Sequence, residues 1–377
     1  LKIAIVIEAL DQRRGGAENW TWQYVQWLVA CGHQVHVLAA RFAPAAERLG
    51  IVRHLLPYAA SRCALADAAA QAVQQCAPDV VHDMGCGWHC DLFQPHSGSR
   101  LAAFEQNLRL LPRWFAPLKR RMAPLLPRYR DFAQLVARQY AGQPRLYVAL
   151  SKMVATHMRH YHGVAAEHIR VVYNGVDVER YSPQLRSHWR QPIRRKLGIE
   201  DHELLVLIVA HNHRLKGVPA LRRAVACLRR QGRPVRLVVA GGRRQPAARC
   251  RRGETLFLGS VDDPAPLYAA ADVYAHPTWY DPCSLVVLEA LACGLPVVTS
   301  QYNGASELMR DGKEGYVLTD PADSVVLAAH LQTLLDQELR QHMGQQARAL
   351  AEAHTLTNNF RQLAALYQEI ARQRRAA

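Results

Sequence analysis

Residues 278–300 read TWYDPCSLVVLEALACGLPVVTS, and their reading sets the frame for the rest of the chain. The run spells a loop, a short helix and a buried strand. Asp281 stands where a helix N-cap belongs, with Pro282 at the first helical position. Gly294 ends the helix, and LPVVTS follows as an apolar strand. From residue 285 to 293 every side chain except that of Glu289 is apolar. An unpartnered carboxylate in such surroundings costs on the order of several kcal/mol, so Glu289 needs a structural Arg or a ligand. The backbone N–H groups of Cys283, Ser284 and Leu285 at the helix start form a socket for an anion. A socket and a lone acid on one helix suit a ligand that carries both phosphate and hydroxyl groups. A core helix whose Glu289 meets an Arg is the alternative.

Outward from this run, strand and helix alternate. Residues 204–210 predict a strand, 211–217 (HNHRLKG) a loop, 218–230 a helix and 235–240 a strand closed by Gly241 and Gly242. Further strands are expected at 255–258 and 273–276, with a helix at 265–271 between them. The N-terminal half begins the same way. Residues 2–8 predict a strand, 11–16 (DQRRGG) a loop, 17–31 a helix with Trp20, Tyr24, Trp27 and Leu28 on related turns, and 35–40 a strand. Helices follow at 61–76 and after Ser151, with strands at 79–82, 91–95, 146–150 and 169–173. This pattern predicts an α/β chain of two Rossmann-like, doubly wound domains facing a cleft. The expected division is 1–177 and 178–357, with the helix 358–377 crossing back to pack on the first domain. The polar, Pro- and Arg-rich stretch 178–195 reads as a linker. Ligands in such sheets bind at the carboxyl ends of the strands.

At 377 residues, half of them apolar, the chain suffices for two ordinary domains. No apolar run approaches the roughly 20 residues that span a bilayer. The opening LKIAIVIEAL is interrupted by Glu8 and reads as a strand rather than a signal peptide. Nine scattered cysteines suit reduced thiols, so a cytoplasmic location is expected. Cys86, His89 and Cys90, with His82 and His96 nearby, lack the paired spacing of structural zinc sites and read as loop and strand residues.

The formal charge of +16 favours anionic partners. Half of it comes from residues 100–145, which hold ten Lys or Arg and two acids. Trp114, Lys119, Arg120, Arg121, Arg128 and Arg130 lie there among Phe and Leu, and Pro112, Pro117, Pro124 and Pro127 break the stretch into short pieces. Basic groups beside aromatic and aliphatic ones predict contact with an anionic membrane surface, on the inner face of the cytoplasmic membrane. A solvated helical pair is the plainer reading, and nucleic acid is not an expected partner.

Chemistry concentrates at strand ends. Arg214 and Lys216, just ahead of Gly217 and a helix, pair a bidentate cation with a point charge, as a pyrophosphate requires. With the amide socket and Glu289, which is placed to accept hydrogen bonds from two vicinal ribose hydroxyls, they describe a nucleoside diphosphate site. Gly15 and Gly16 let backbone approach a ligand at a helix N-terminus, although the full dinucleotide fingerprint is absent. His96 falls at the end of a strand. There is no Walker A sequence and no carboxylate pair with metal-ligand spacing, so neither a cofactor nor a metal is expected.

Taken together, Gly15-Gly16-Ala17-Glu18, Asn174-Gly175-Val176-Asp177, Arg214 with Lys216-Gly217, and residues 281–298 resemble the retaining glycosyltransferases of family 4, and within them the lipopolysaccharide core glucosyltransferases. The resemblance implies the two-domain GT-B architecture and a nucleotide sugar donor, with a UDP-sugar foremost. It implies transfer of the sugar to a hydroxyl of a glycan or glycolipid acceptor with retention of anomeric configuration. Arg214, Lys216, Gly15, Gly16 and the amides of Cys283, Ser284 and Leu285 would serve the diphosphate, and Glu289 the ribose. His96 resembles the His that such enzymes place beside the transferred sugar. Asp281 stands where the family usually has a Glu addressing that sugar; here the acid is one methylene shorter and precedes Pro282. A sugar-nucleotide epimerase of the same architecture and a non-catalytic basic membrane protein are the competing readings.

Overall fold

The computed structural model describes residues 1–57, 61–142, 145–242 and 254–376. The chain divides into two compact units, one formed by Leu1–Val172 with Phe360–Ala377 and the other by Tyr173–Asn359.

The first unit holds β1 (Lys2–Val6), β2 (Ala9–Leu10), β3 (Gln34–Ala39), β4 (Arg41–Phe42), β5 (Val52–Leu55), β6 (Val80–Asp83), β7 (Leu92–Phe93), β8 (Leu146–Ala149) and β9 (Ile169–Val171). Seven of these form one parallel sheet in the order β5-β3-β1-β6-β7-β8-β9. The order reverses between β1 and β6, so the loops after these two strands lie side by side. Alternate strand residues face the helix Arg62–Cys76, and Ala4, Val6, Leu38 and Leu56 pack there on Ala69, Val73 and Cys76. The C-terminal helix Leu356–Ala376 lays Phe360 against Trp20, Tyr24 and Trp27. One turn pair further on, Tyr367 meets His82 Nδ1 at 2.5 Å. The helix therefore does cross back to the first unit, as its amphipathic pattern predicts.

The second unit holds β10 (Leu204–Val209), β11 (Val235–Ala240), β12 (Thr255–Gly259), β13 (Val273–His276), β14 (Val297–Ser300) and β15 (Gly315–Leu318). They form a parallel sheet in the order β12-β11-β10-β13-β14-β15, with its reversal between β10 and β13. The near-continuous apolar strands are buried on both faces, as a doubly wound sheet demands.

The linker reading of residues 178–195 is corrected. Leu185–Leu197 is a helix, and the arginines that made the stretch look solvated are its packing face. Arg186, Arg190 and Arg194 recur every fourth residue and converge on Asp272, at 3.5, 2.7 and 3.0 Å. They also bond the carbonyls of Ala270 and Ala271, the unsatisfied end of the helix Ala265–Ala270. Burial alone would raise the Asp272 pKa, but these cations hold it below the ordinary carboxylate value.

The basic segment of the first unit forms three helices, Arg100–Arg109, Phe115–Met122 and Pro127–Tyr140. The middle one has no buried residue. Trp114, Leu118, Met122 and Leu125 follow at helical spacing and stand exposed, Trp114 by 76% and Leu125 by 63%. Arg120 pairs with Glu105, Arg130 Nε donates to the Pro124 carbonyl at 3.1 Å, and Arg128 lies 5.0 Å from the Tyr129 ring centroid.

Candidate active site

In the second unit the sheet reversal sets the loop after β10 beside the loop after β13, and the two are joined backbone to backbone. The Trp279 amide donates to the Leu215 carbonyl at 2.8 Å. Gly217 has φ +78°, and a Cβ there would stand 1.9 Å from the Pro277 carbonyl oxygen. Glycine is required at this point both for its conformation and for the close approach.

That closeness brings Lys216 to Asp281. The ammonium lies 2.6 Å from Asp281 Oδ2 and also donates to the Tyr280 carbonyl at 3.2 Å. His276 Nε2, at the end of β13, approaches the same carboxylate oxygen at 3.3 Å. Burial would raise the pKa of Asp281, but Lys216 and His276 together hold it well below the usual range. The capping role expected for Asp281 is therefore corrected. The helix begins later, at Leu285, with Ser284 as its N-cap, and the Asp281 side chain is committed to the loop after β10. A local D-P pattern cannot reveal a partner 65 residues earlier in the chain.

The amide socket is also shifted along the chain from its expected place. Ser284 N–H donates to Asn303 Oδ1 at 3.2 Å, so this amide is already engaged. The first helical bond runs from Leu288 to the Ser284 carbonyl, which leaves the amides of Leu285, Val286 and Val287 as the helix's open first turn. Two asparagines hold this turn, and neither was singled out by sequence pattern as doing so. Asn303 also donates to Thr299 Oγ1 at 3.0 Å, and Asn174 Nδ2 donates to the Cys283 carbonyl at 2.7 Å. Gly175, next to Asn174, passes so close to residue 355 that a Cβ would meet the Thr355 carbonyl at 2.3 Å. The Asn174-Gly175 signature thus fixes the start of the helix that carries Glu289.

Glu289 accepts a hydrogen bond from Tyr268 at 2.8 Å, and Tyr181 also donates to it. Arg180 is near enough to favour its charge but pairs with Asp263 at 3.1 Å. The structural-Arg alternative is thus not what forms. Burial dominates and pushes the carboxyl up to about 7. A group raised in this way carries its proton near neutrality and prefers a ligand that donates hydrogen bonds to its ionised form. If vicinal hydroxyls bind it, nucleotide binding releases about half a proton at pH 7. Affinity for uridine diphosphate should then rise as pH increases from 6 to 8, and it should become far less pH-dependent in Glu289→Gln. Calorimetry in buffers of different ionisation enthalpy reads both quantities.

In the first unit, Gly15 is the N-cap of the helix Gly16–Ala30, and a Cβ on it would lie 2.8 Å from Glu18 Oε2. Arg14, ahead of it, pairs with Glu8 at 2.7 Å. His96 follows β7 with its ring 4.7 Å from that of Trp20. Burial lowers its pKa to about 4, so it is neutral at pH 7, and its buried Nε2 has no hydrogen-bond partner among the described residues. A neutral, orphaned imidazole nitrogen suits a bond to a substrate hydroxyl. Nearby, Asp83 accepts the amides of Gly85, Cys86 and Gly87 at 2.6–2.8 Å, which orders the loop after β6. Burial raises the thiols of Cys86 and Cys90, and Cys90 Sγ accepts from Arg145 at 3.9 Å.

Two Rossmann-like units, each with a parallel sheet whose strand order reverses once, are the GT-B architecture. The chain belongs to the family 4 glycosyltransferases: residues 14–180 match the family model Glycosyltransferase Family 4, and residues 203–337 match Glycosyl transferases group 1. Among curated proteins it is similar to the lipopolysaccharide glucosyltransferase WaaG of Escherichia coli, with 28% identity over 62% of this chain and 64% of that protein. It is similar also to the D-inositol 3-phosphate glycosyltransferase of Corynebacterium efficiens, with 34% identity over 56% of this chain and 53% of that one. The chain spans about half the length of the inositol phosphate relatives it matches. Among solved structures, a WaaG crystal structure superposes with a TM-score of 0.79 at 20% identity, covering 97% of this chain and 99% of that one. Anabaena HepE in complex with UDP and glucose gives 0.69 at 22%, covering 97% and 99%.

Proposed function

We propose that the protein is a retaining, metal-independent hexosyltransferase. It takes a sugar from a UDP-sugar and passes it to a hydroxyl of a lipid-linked or lipopolysaccharide-type glycan. The observation that carries this reading is the second unit's cluster, in which Lys216 is held by Asp281 beside the open first turn of the helix that bears Glu289. Arg214, Lys216 and the amides of that turn meet the diphosphate, and Glu289 takes the ribose hydroxyls. Asp281 orients Lys216 and, at the position of the family's sugar-binding acid, faces the sugar. His96 bonds the transferred sugar, and the Gly15-Gly16 backbone serves the diphosphate and acceptor.

In the reaction, the bond from the anomeric carbon to the diphosphate oxygen breaks while the acceptor oxygen bonds the same face. The acceptor proton passes to the leaving diphosphate. The protein's part is positioning, and stabilisation of the negative charge that grows on the diphosphate. The names of two similar proteins support the substrate classes, one a lipopolysaccharide glucosyltransferase and the other solved with UDP and glucose. Product analysis with and without a lipopolysaccharide-type acceptor tests the reading. Acceptor-dependent transfer with retained configuration is expected; conversion of the nucleotide sugar without any acceptor would instead establish an epimerase.

The reading includes peripheral contact with the cytoplasmic membrane's inner face. No described helix is long and apolar enough to cross a membrane. The exposed Trp114, Leu118, Met122 and Leu125 make an apolar stripe flanked by Lys119, Arg120, Arg121, Arg128 and Arg130. Each cation near an anionic surface contributes about 1 kcal/mol. Reversing Arg120, Arg121, Arg128 and Arg130 together should therefore abolish flotation with phosphatidylglycerol vesicles, and Trp114→Ala should weaken it. Flotation equal to the parent's in the charge-reversed chain would refute the membrane role of this segment.

A further inference from the structure

On the first unit, the face of the sheet covered by the helix Arg62–Cys76 ends in a group of side chains that the proposed reaction does not use. Residues of one parity along a strand share a face, so His36 on β3 points with Leu38, and His54 on β5 points with Leu56, toward that helix. Cys76 is the helix's last residue, three beyond the core residue Val73. His36, His54 and Cys76 each present a ligand atom, and the three atoms lie within 4.8 Å of one another. His36 Nδ1 and His54 Nε2 face each other at 2.8 Å. His36 is 6% exposed and Cys76 7%, and the far nitrogen of His36 has no hydrogen-bond partner among the described residues.

We propose that His36, His54 and Cys76 form a binding site for a thiophilic divalent cation, zinc foremost, that clips the β3–β5 edge of the sheet to the end of the adjacent helix. Two imidazoles and one thiolate are the donor set that borderline-soft metals prefer, and they come from three separate elements, so the ion cross-links them. Water at the part-exposed His54 side completes a tetrahedral shell. Burial keeps both imidazoles neutral, the form that ligates. Burial also raises the Cys76 thiol, against the smaller pull of Lys2, and the thiol donates to the Val73 carbonyl at 3.4 Å, so the metal itself must displace its proton. On binding, the Cys76 thiol gives its proton to solvent. The proton shared by the facing imidazole nitrogens moves to the outer nitrogen of its ring, and the pair opens by a few tenths of an ångström.

The site stands near the amino ends of the strands. Lys2, the first residue of β1, faces all three groups, whereas the Gly15 loop and His96 follow strand carboxyl ends. The metal is therefore structural and takes no part in sugar transfer. This departs from the expectation that the chain holds no metal.

The test uses the full chain, freed of metal by a chelator that is then dialysed away, and titrated with cobalt(II) and zinc(II). One equivalent of cobalt is expected to give a thiolate-to-metal charge-transfer band that one equivalent of zinc displaces. Zinc should also raise the melting temperature. Cys76→Ser should remove the band, and the part-exposed His54→Gln should weaken zinc binding at least about tenfold. Neither substitution should alter binding of uridine diphosphate. Absence of the band in the parent chain, its persistence in Cys76→Ser, or an equal zinc-induced melting shift in His54→Gln would each overturn the proposal.

Discussion

Replacing Lys216 by alanine is expected to lower sugar transfer by roughly a hundred- to a thousandfold while leaving the chain folded. The size follows from what one preorganised donor aimed at developing negative charge contributes to a rate. Lys216 is 21% exposed and already fixed by Asp281 and the Tyr280 carbonyl, so the ammonium needs little reorganisation when a diphosphate arrives. Its loss also leaves Asp281, 14% exposed, without its nearest cation, at a stability cost of about 1–3 kcal/mol. The sign with pH is fixed. The folded pKa of Asp281 lies well below its ordinary value, so the pair stabilises the native state at neutral pH; that contribution begins to fall at the ordinary carboxylate value and is lost only as pH drops through the depressed folded value. The stability deficit of Lys216→Ala should accordingly be full at pH 7 and only begin to shrink toward pH 3. Urea titrations of both chains at several pH values check this, beside steady-state kinetics at pH 7.

The second large effect is expected from Gly217→Ala, a change of one methyl group. The left-handed conformation alone costs a non-glycine residue about 1–2 kcal/mol. The new Cβ would also overlap a backbone carbonyl 1.9 Å away, and the loops after β10 and β13 must separate to admit it. Because these loops carry Lys216 and Asp281, nucleotide binding should fail together with stability. Gly312→Ala is the matched control. That glycine has φ +79° but nothing within 4 Å of a built Cβ, so only the conformational cost applies. A loss in Gly217→Ala several kcal/mol beyond that in Gly312→Ala, with uridine diphosphate binding lost only in the former, is the expected result by urea denaturation and calorimetry.

The architecture was largely legible because its signals are local. Apolar runs of strand length alternating with amphipathic helices dictate a doubly wound fold, and the carboxyl ends of the strands then locate the chemistry. The burial of Glu289 and its need for hydrogen-bond donors were legible because a single acid in an apolar helix has few explanations. The errors share a different cause. Asp281 in a D-P pair looks like a cap until a lysine from another loop claims it. Arg186, Arg190 and Arg194 look solvated until Asp272 and two open helix-end carbonyls are set before them. Asn303 and the His36–His54–Cys76 group carry no local signature, and the Asn174-Gly175 motif does not itself say what Asn174 holds, since each owes its role to residues distant in sequence. Long-range pairing of polar groups is what hydrophobic periodicity leaves unspecified.

The measurement closest to the central claim is sugar transfer from a UDP-sugar to a lipopolysaccharide-type acceptor, compared between the parent chain and Glu289→Ala. If Glu289 holds the ribose, transfer should fall at least tenfold through a weaker donor KM, with the fold intact by circular dichroism. Undiminished transfer with an unchanged donor KM would contradict the assignment of the donor site to this helix.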